Sequence, residues 1–381
     1  MTNNPKQKKI IFFIPSLEAG GGERIVSEIS LNLPKNFNPI IVILRNIIFY
    51  PYKGKLLSLN IPHKNNPFLK LYYFIVTWIK FRKIVKKENP DYTMSLGNLP
   101  HIINILSGKN SIVRIGNLQS KNYNGIKKIL FKYLMRILFK KTERIVIISK
   151  GLKKDLTENF DVPEVKMKLI YNPIDIKKIQ KLSKEPIEKK YKKIFEHPVI
   201  FNLGRLSEQK NQHQLIKAFK KIKKEYPDLK LVILGDGPLK NNILNLISEL
   251  NLKNDVYLLG VQKNPFKFLS KSKLCVFSSL WEGFGIIITE ALACNIPIIS
   301  TDCDSGPRDI LAPETNPYHK TTTIEYAKYG ILVPIDNERI LSEAMIKILS
   351  DKNLYKQYKE RSLERAYYFD IKKIIKDYAS L

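Results

Sequence analysis

Residues 282–290 read EGFGIIITE: two carboxylates bracket seven residues, and a Phe284-Gly285 turn sits between them. The apolar run Ile286-Ile287-Ile288-Thr289 carries the chain into a helix that continues through Ala291, Leu292 and Ala293. Such a turn exposes backbone N–H groups at a helix start, which is where a phosphate or diphosphate is held. Glu282 lies before the turn and can point at one end of a ligand. Glu290, about one helical turn inside, can reach the other. This is the shape of a nucleotide-sugar site. A capped amphipathic helix with solvated acids fits the same letters, so the rest of the chain decides.

Outward from this stretch, apolar runs alternate with helical patterns from end to end, which predicts parallel α/β sheets. Strands are expected at 10–15, 39–44, 92–96, 111–115, 144–149 and 168–171 in the first half. In the second half they fall at 198–204, 230–236, 256–260, 274–279, 296–300 and 330–334. Their near-continuous Ile, Val and Leu suits strands covered on both faces. The result is two halves of about six strands each, without sequence repetition. The segment from Asn172 to His197, with its NPID start, Pro186 and the charged KKYKK, reads as the boundary. The last thirty residues read as amphipathic helix.

A chain of 381 residues exceeds one ordinary core, and its 44% hydrophobic share is that of a globular protein. No run approaches the roughly 20 apolar residues of a membrane-spanning helix; LYYFIVTWI, 71–79, is about half that length. The polar N-terminus shows no secretory signal. Cys275, Cys294 and Cys303 share no metal-like spacing and suit a reducing compartment. The charge is lopsided. Residues 1–180 hold 32 Lys and Arg against 11 acids, +21, while residues 181–381 hold 33 against 24, +9. An AT-rich genome raises Lys everywhere, but a loaded half implies a polyanionic partner.

Other turns carry chemistry. After the first strand, Gly20, Gly21 and Gly22 form a flexible loop before a helix expected near Glu23, a place where backbone can approach an anion. The dinucleotide pattern G-x-G-x-x-G is absent. In the second half, GRLSEQKN places Gly204 and Arg205 at a strand end and Lys210 before a helix. Those two cations on one loop can straddle a diphosphate, Arg as a fork and Lys as a point charge. GDGP (235–238) is either a ligand contact or a plain turn. Val261 ends another strand, and DSGPRDIL (304–311) follows a further one.

The E-x7-E element, the G-R-L-x-x-x-K-N string and the GG-E-R turn together resemble glycosyltransferase family 4. That resemblance spans residues 10 to about 350, with specific motifs in the second half and loose ones in the first. It implies the α/β GT-B fold, two Rossmann-like domains facing a central cleft. The expected domains are 1–180, acceptor-binding and membrane-facing, and 190–355, nucleotide-sugar-binding. A helix at 356–381 would cross back to the first. The resemblance gives Arg205 and Lys210 the leaving diphosphate, Glu282 the donor sugar hydroxyls and Glu290 the ribose. Gly21, Gly22, Gly204, Val261, Phe284, Gly285 and Ile286 would line the donor, Val261 through backbone groups at the base. DSGPRDIL resembles an element near the donor sugar, with Asp309 where Glu is usual. One departure stands out: some members carry a first-domain His that touches the donor sugar. Here the corresponding loop reads Arg114-Ile115-Gly116-Asn117. His101 sits nearby inside an apolar helical stretch and reads as structural, and His63 and His213 lack catalytic partners.

Two basic stretches explain the first-half charge. Residues 68–88 and 125–144 mix aliphatic and aromatic residues, including Trp78, Phe81, Phe131 and Tyr133, with Lys and Arg. Such helices can lie in an anionic membrane interface. No nucleic-acid motif appears, so nucleic acid is not an expected partner. The expectation is therefore a retaining transferase, peripheral on the cytoplasmic face of the cell membrane. It would move a hexose or N-acetylhexosamine from a nucleotide-sugar donor, a UDP-sugar, to a lipid-linked or surface-glycan acceptor such as lipopolysaccharide, O-antigen or capsule. The nucleotide sugar is a co-substrate; no other cofactor and no metal is expected, since Arg205 and Lys210 would supply the charge at the diphosphate. The alternatives are a soluble transferase acting on a free sugar or sugar phosphate, and a non-catalytic nucleotide-sugar- or RNA-binding protein.

Overall fold

The computed structural model describes residues 7–18, 20–62, 66–108, 110–121 and 125–381. The chain divides into two compact units: Met1–Pro173 with Ile371–Leu381, and Ile174–Asp370. The first unit runs β1 (Lys8–Ile14), α1 (Gly21–Asn32), β2 (Phe37–Ile43), β3 (Lys55–Ser58), α2 (Pro67–Glu88), β4 (Tyr92–Ser95) and α3 (Asn98–Ser107). It continues with β5 (Ser111–Ile115), α4 (Gly125–Lys141), β6 (Arg144–Ile147), α5 (Lys150–Phe160) and β7 (Met167–Leu169). Its strands lie parallel in the order β3-β2-β1-β4-β5-β6-β7. Residues Ile10 to Ile14 of β1 are all buried, as unbroken apolar runs in a doubly covered sheet require. The strand order reverses between β1 and β4, so the loops leaving them part at the carboxyl ends and open a crevice. Gly20 to Gly22 leave β1 there.

Helix α2 is longer than the sheet it covers. The Asn66 side chain caps the Phe68 N–H, Pro67 occupies the first turn, and Asn89 closes the helix with φ 44°. Lys55, at the start of β3, holds the Glu88 carboxylate at 2.6 Å, and Lys80 donates to the Leu59 carbonyl just past the end of β3. Tyr73, Phe74, Val76 and Trp78 still pack against the core, so the overhanging part of α2 is the exposed stretch 68–72.

The second unit holds α6 (Ile176–Ser183), β8 (Val199–Leu203), α7 (Gln212–Ile222), β9 (Lys230–Leu234), α8 (Lys240–Glu249), β10 (Val256–Gly260), α9 (Phe266–Leu269) and β11 (Leu274–Phe277). Then come α10 (Ile286–Ala293), β12 (Ile298–Thr301), α11 (Pro307–Leu311), β13 (Glu325–Ala327), β14 (Gly330–Val333), α12 (Glu338–Ser350) and α13 (Lys352–Tyr367). The order is β10-β9-β8-β11-β12-β14-β13, parallel except for the antiparallel β13–β14 pair. Here the reversal falls between β8 and β11. The last helix, α14 (Ile371–Ala379), belongs to the first unit, where Tyr92 donates to the Tyr378 carbonyl and Arg114 to the Tyr378 hydroxyl.

Three expectations change. Each sheet has seven strands, because β3 and β13 are short, half-exposed edge strands without a long apolar run. The expected boundary at 172–197 is mostly part of the second unit: Asn264 donates to the Leu182 carbonyl and Ser270 to that of Ser183. The expected crossing helix 356–381 is two helices. Helix α13 stays in the second unit, where Arg365 donates to the carbonyls of Asp309 and Ile310, and only the segment from Ile371 returns.

Candidate functional site

Three loops at the carboxyl ends of β8, β11 and β12 are joined into one platform at the switch point of the second sheet. The loop after β8 is tied to the loop after β11 four times. Leu280 N–H donates to the Gln209 carbonyl at 2.8 Å, and the Gln209 amide to the Trp281 carbonyl at 2.9 Å. Ser278 Oγ donates to the Lys210 carbonyl at 2.9 Å, and Lys210 Nζ to Glu282 Oε1 at 2.5 Å. The loop after β12 joins from the other side. Glu282 N–H donates to the Asp304 carbonyl and Ser305 Oγ to the Gly283 carbonyl. Gly306, at φ 91°, lies so close that a Cβ there would collide with the Phe284 carbonyl oxygen.

The sequence-predicted cations and first acid therefore meet. Glu282 is buried, and its Oε1 accepts from both Lys210 Nζ and Ser279 Oγ, the latter at 2.7 Å. The Lys210 stem lies against Gly204, where an added Cβ would press on Cγ at 3.2 Å. Arg205, on the same loop, is exposed, and its guanidinium has no partner among the described residues. Gly285 enters α10 at φ 83°, and Ile286 begins the helix whose first N–H groups face the same edge. Burial and the Glu282 carboxylate push the Cys303 thiol well up, so this cysteine is inert.

Other expected residues are placed differently. Phe284 is core, not lining: its ring is buried against Phe369 at 5.5 Å, because the tight turn aims it inward. Glu290 is 1% exposed, buried within α10. Burial and Glu290 together push the Cys294 thiol up to about 12. Val261 is exposed but follows β10, the edge strand, two strands away from Arg205. GDGP is a packing turn, since a Cβ at Gly235 would meet the Gly204 carbonyl. In DSGPRDIL, buried Arg308 is held by Asp302 at 2.6 Å and Glu325 at 2.7 Å, and Asp309 is buried too. Not legible in the sequence are the cross-loop ties through Gln209 and Ser278 and, within the loop after β11, the hold of Ser279 on Glu282. The one visible signal was a serine three residues before Glu282.

In the first unit α1 begins at Gly21, two residues before the expected start. Neither Gly21 nor Gly22 has a positive φ, and a Cβ at either would meet nothing closer than 3.9 Å. Their bareness is not needed for packing and costs helix stability, about 1 kcal/mol each against Ala. The expected anion seat is compromised. The Glu23 carboxylate folds back over Gly20, and burial, with Glu18 adding to it, raises its pKa against the lowering by its own backbone N–H and Arg45. His101 is buried, with Nδ1 3.0 Å from Ser95 Oγ; burial first and the Arg114 charge second push its pKa down to about 3. It is a neutral core histidine. His63 lies outside the described residues. Among the described residues, no three His, Cys, Asp or Glu side chains gather as metal ligands, and no helix is long and apolar enough to cross a membrane.

Known proteins match along nearly the whole chain. Residues 183–365 match Glycosyl transferases group 1, and residues 19–178 match Glycosyltransferase Family 4. An uncharacterized glycosyltransferase of Methanocaldococcus jannaschii is 39% identical over 86% of this chain and 88% of that one. A Campylobacter jejuni enzyme is 32% identical over 97% of this chain and 98% of its own. It is described as N-acetylgalactosamine-N,N'-diacetylbacillosaminyl-diphospho-undecaprenol 4-alpha-N-acetylgalactosaminyltransferase. Among solved structures, Anabaena HepE in complex with UDP superimposes with TM-score 0.75 at 16% identity, covering 98% of both chains.

Proposed function

The chain belongs to glycosyltransferase family 4 and has the GT-B fold, and we propose that it is a retaining enzyme that moves a hexose or N-acetylhexosamine from a UDP-sugar to a lipid-linked glycan acceptor at the cytoplasmic face of a membrane. The observation that carries the donor half is the platform holding Lys210, Glu282 and Arg205 at the switch point of the second sheet. Breaking the anomeric C–O bond puts charge on the leaving diphosphate. Arg205 and Lys210, with the first N–H groups of α10, would stabilise it, Lys210 by turning from Glu282 to the diphosphate. Those two cations supply the charge that a divalent metal supplies elsewhere. Glu282 orients donor hydroxyls, and Glu290 serves the ribose end of the donor.

The acceptor half rests on the first unit. Exposed on α2 are Phe68 (84%), Leu71, Tyr72, Ile75 and Ile79, most of them on the overhanging part. Helix α4 exposes Ile126 (76%), Ile129, Leu130 and Tyr133. Of the aromatics expected at an interface only Tyr133 is well exposed; Phe81 and Phe131 are core, and Trp78 is half-buried with its N–H on the Leu106 carbonyl. The apolar face is formed instead by Phe68, Tyr72 and the exposed aliphatic residues. Large exposed apolar patches bounded by Lys and Arg suit an anionic lipid surface. The Campylobacter relative, by its name, acts on an undecaprenyl-diphosphate glycan, which supports the same acceptor class here.

The test presents UDP-hexoses and UDP-N-acetylhexosamines to the protein with polyprenyl-diphosphate glycans in phosphatidylglycerol vesicles. Expected are transfer with retained anomeric configuration and vesicle binding that weakens with salt, as the screening length shrinks to about 3 Å at 1 M. Replacing Phe68, Leu71 and Ile75 with Ser should release the protein without harming UDP binding. Transfer only to free sugars, with no vesicle binding, would replace this acceptor with a soluble one.

A further inference from the structure

Glu282 is held in a way that its ion pair with Lys210 does not explain. Both hydrogen bonds to its carboxylate end on the same atom: Oε1 accepts from Lys210 Nζ at 2.5 Å and from Ser279 Oγ at 2.7 Å. Ser279 is itself immobile. It is 2% exposed at the end of β11, and its carbonyl accepts from Thr301 Oγ1 at 2.6 Å, which locks its backbone to the end of β12. Lys210 has a second duty, because the leaving diphosphate competes for the same ammonium. A lysine is a rotatable point charge and can turn between the two. When it turns, Glu282 would be left as a buried carboxylate with one partner. Such a group is costly unless something else holds it.

We propose that Ser279 is the positioning residue for Glu282: it keeps Oε1 occupied while Lys210 serves the diphosphate, and so leaves Oε2 aimed at the donor sugar. Ser279 itself touches neither donor nor acceptor. The inference rests on the donor reading given above, in which Glu282 binds donor hydroxyls.

The test is steady-state kinetics with UDP binding measured in parallel, on Ser279→Ala, Ser279→Thr and Ser279→Cys. The hydroxyl donor is lost in the alanine variant, kept in threonine, and replaced by a weak thiol donor in cysteine. Expected is a kcat about 10-fold lower in Ser279→Ala and Ser279→Cys, with the UDP Kd within twofold of wild type. Ser279→Thr should recover most of the lost turnover. Full activity in Ser279→Ala, or in Ser279→Cys, overturns the proposal. So does a loss of UDP binding in step with kcat, which would mean a collapsed loop rather than a misaligned carboxylate. Wild type run in the same assay separates the two claims. If it transfers from no nucleotide sugar, the donor reading fails, whereas an active wild type with an equally active alanine variant refutes only the role of Ser279.

Discussion

The ligand edge of the second unit is cross-linked by polar side chains, whereas that of the first is joined mainly through backbone, Leu17 N–H on the Ile47 carbonyl and Phe49 N–H on that of Leu17. After β8, β11 and β12, side chains from one loop hold the backbone of the next, and Lys210 and Glu282 are tied down within that lattice. After β1 and β2, the first unit offers two glycines with open space, a carboxylate folded over the loop, and the apolar residues Ile47, Ile48 and Phe49 in solvent. Stabilising charge that appears only as a bond breaks requires groups already in position. Receiving a large amphiphilic acceptor requires open surface and an apolar rim. The two edges look like answers to those two demands.

The largest effect should come from dismantling the fixed edge. Arg205→Ala or Lys210→Ala should cut turnover about 100-fold or more, by analogy with lost transition-state donors. The lysine variant should be worse in stability too, because it strands a buried Glu282. Near-normal kinetics in both variants would remove the platform from the chemistry.

The two acids divide the second edge more finely. Glu282→Gln should act mainly on kcat, since Glu282 meets the donor sugar, while Glu290→Gln should act mainly on nucleotide affinity. About 10-fold in each is expected. Equal losses in both parameters for both variants would erase the division.

Acid should separate the units. His101 is neutral in the folded first unit, with its pKa pushed down to about 3, whereas unfolded it takes a proton near 6.5. Between those values the unfolded state binds more protons, so stability is lost as pH falls through that window. The cost is about 1.4 kcal/mol per pH unit. Hydrogen exchange should show the first unit loosening as pH drops from 6.5 toward 4, and His101→Gln should flatten that slope. An unchanged slope would mean that another group carries the acid response. The smallest effect expected is none: chelators should leave transfer intact, and strict dependence on added Mn or Mg would contradict a leaving group held by Arg205 and Lys210.

The same contrast explains what the sequence made legible. The unbroken apolar runs of β1 and β9 announce doubly covered strands, and GRLSEQKN and EGFGIIITE announce a charged platform because their chemistry needs fixed letters at fixed spacing. Edge strands such as Lys55–Ser58 escaped because half-exposed residues carry no periodic signal. Phe284 and Glu290 were read as lining because a turn and a helix start do not reveal which way side chains point, and the structure buries both. The face of α2 could not be chosen from composition, since aromatic and aliphatic residues alternate around it and only packing decides that Phe81 goes in and Phe68 stays out. The ties through Gln209 and Ser278 join residues about 70 positions apart, a pairing no local pattern contains.

The central claim is that the platform of the second unit is a nucleoside-diphosphate site, and thermal shift tests it most directly. Wild type, Arg205→Ala and Lys210→Ala would each be melted with UDP-, GDP- and ADP-sugars and with UDP alone. At ligand 100-fold above Kd, binding adds about 2.7 kcal/mol, a rise of roughly 5–10 °C for a unit of this size. UDP and a UDP-sugar should raise the wild-type Tm by that much and leave both variants nearly unmoved. Stabilisation of the variants as large as that of wild type, or none by any nucleotide, would contradict the claim.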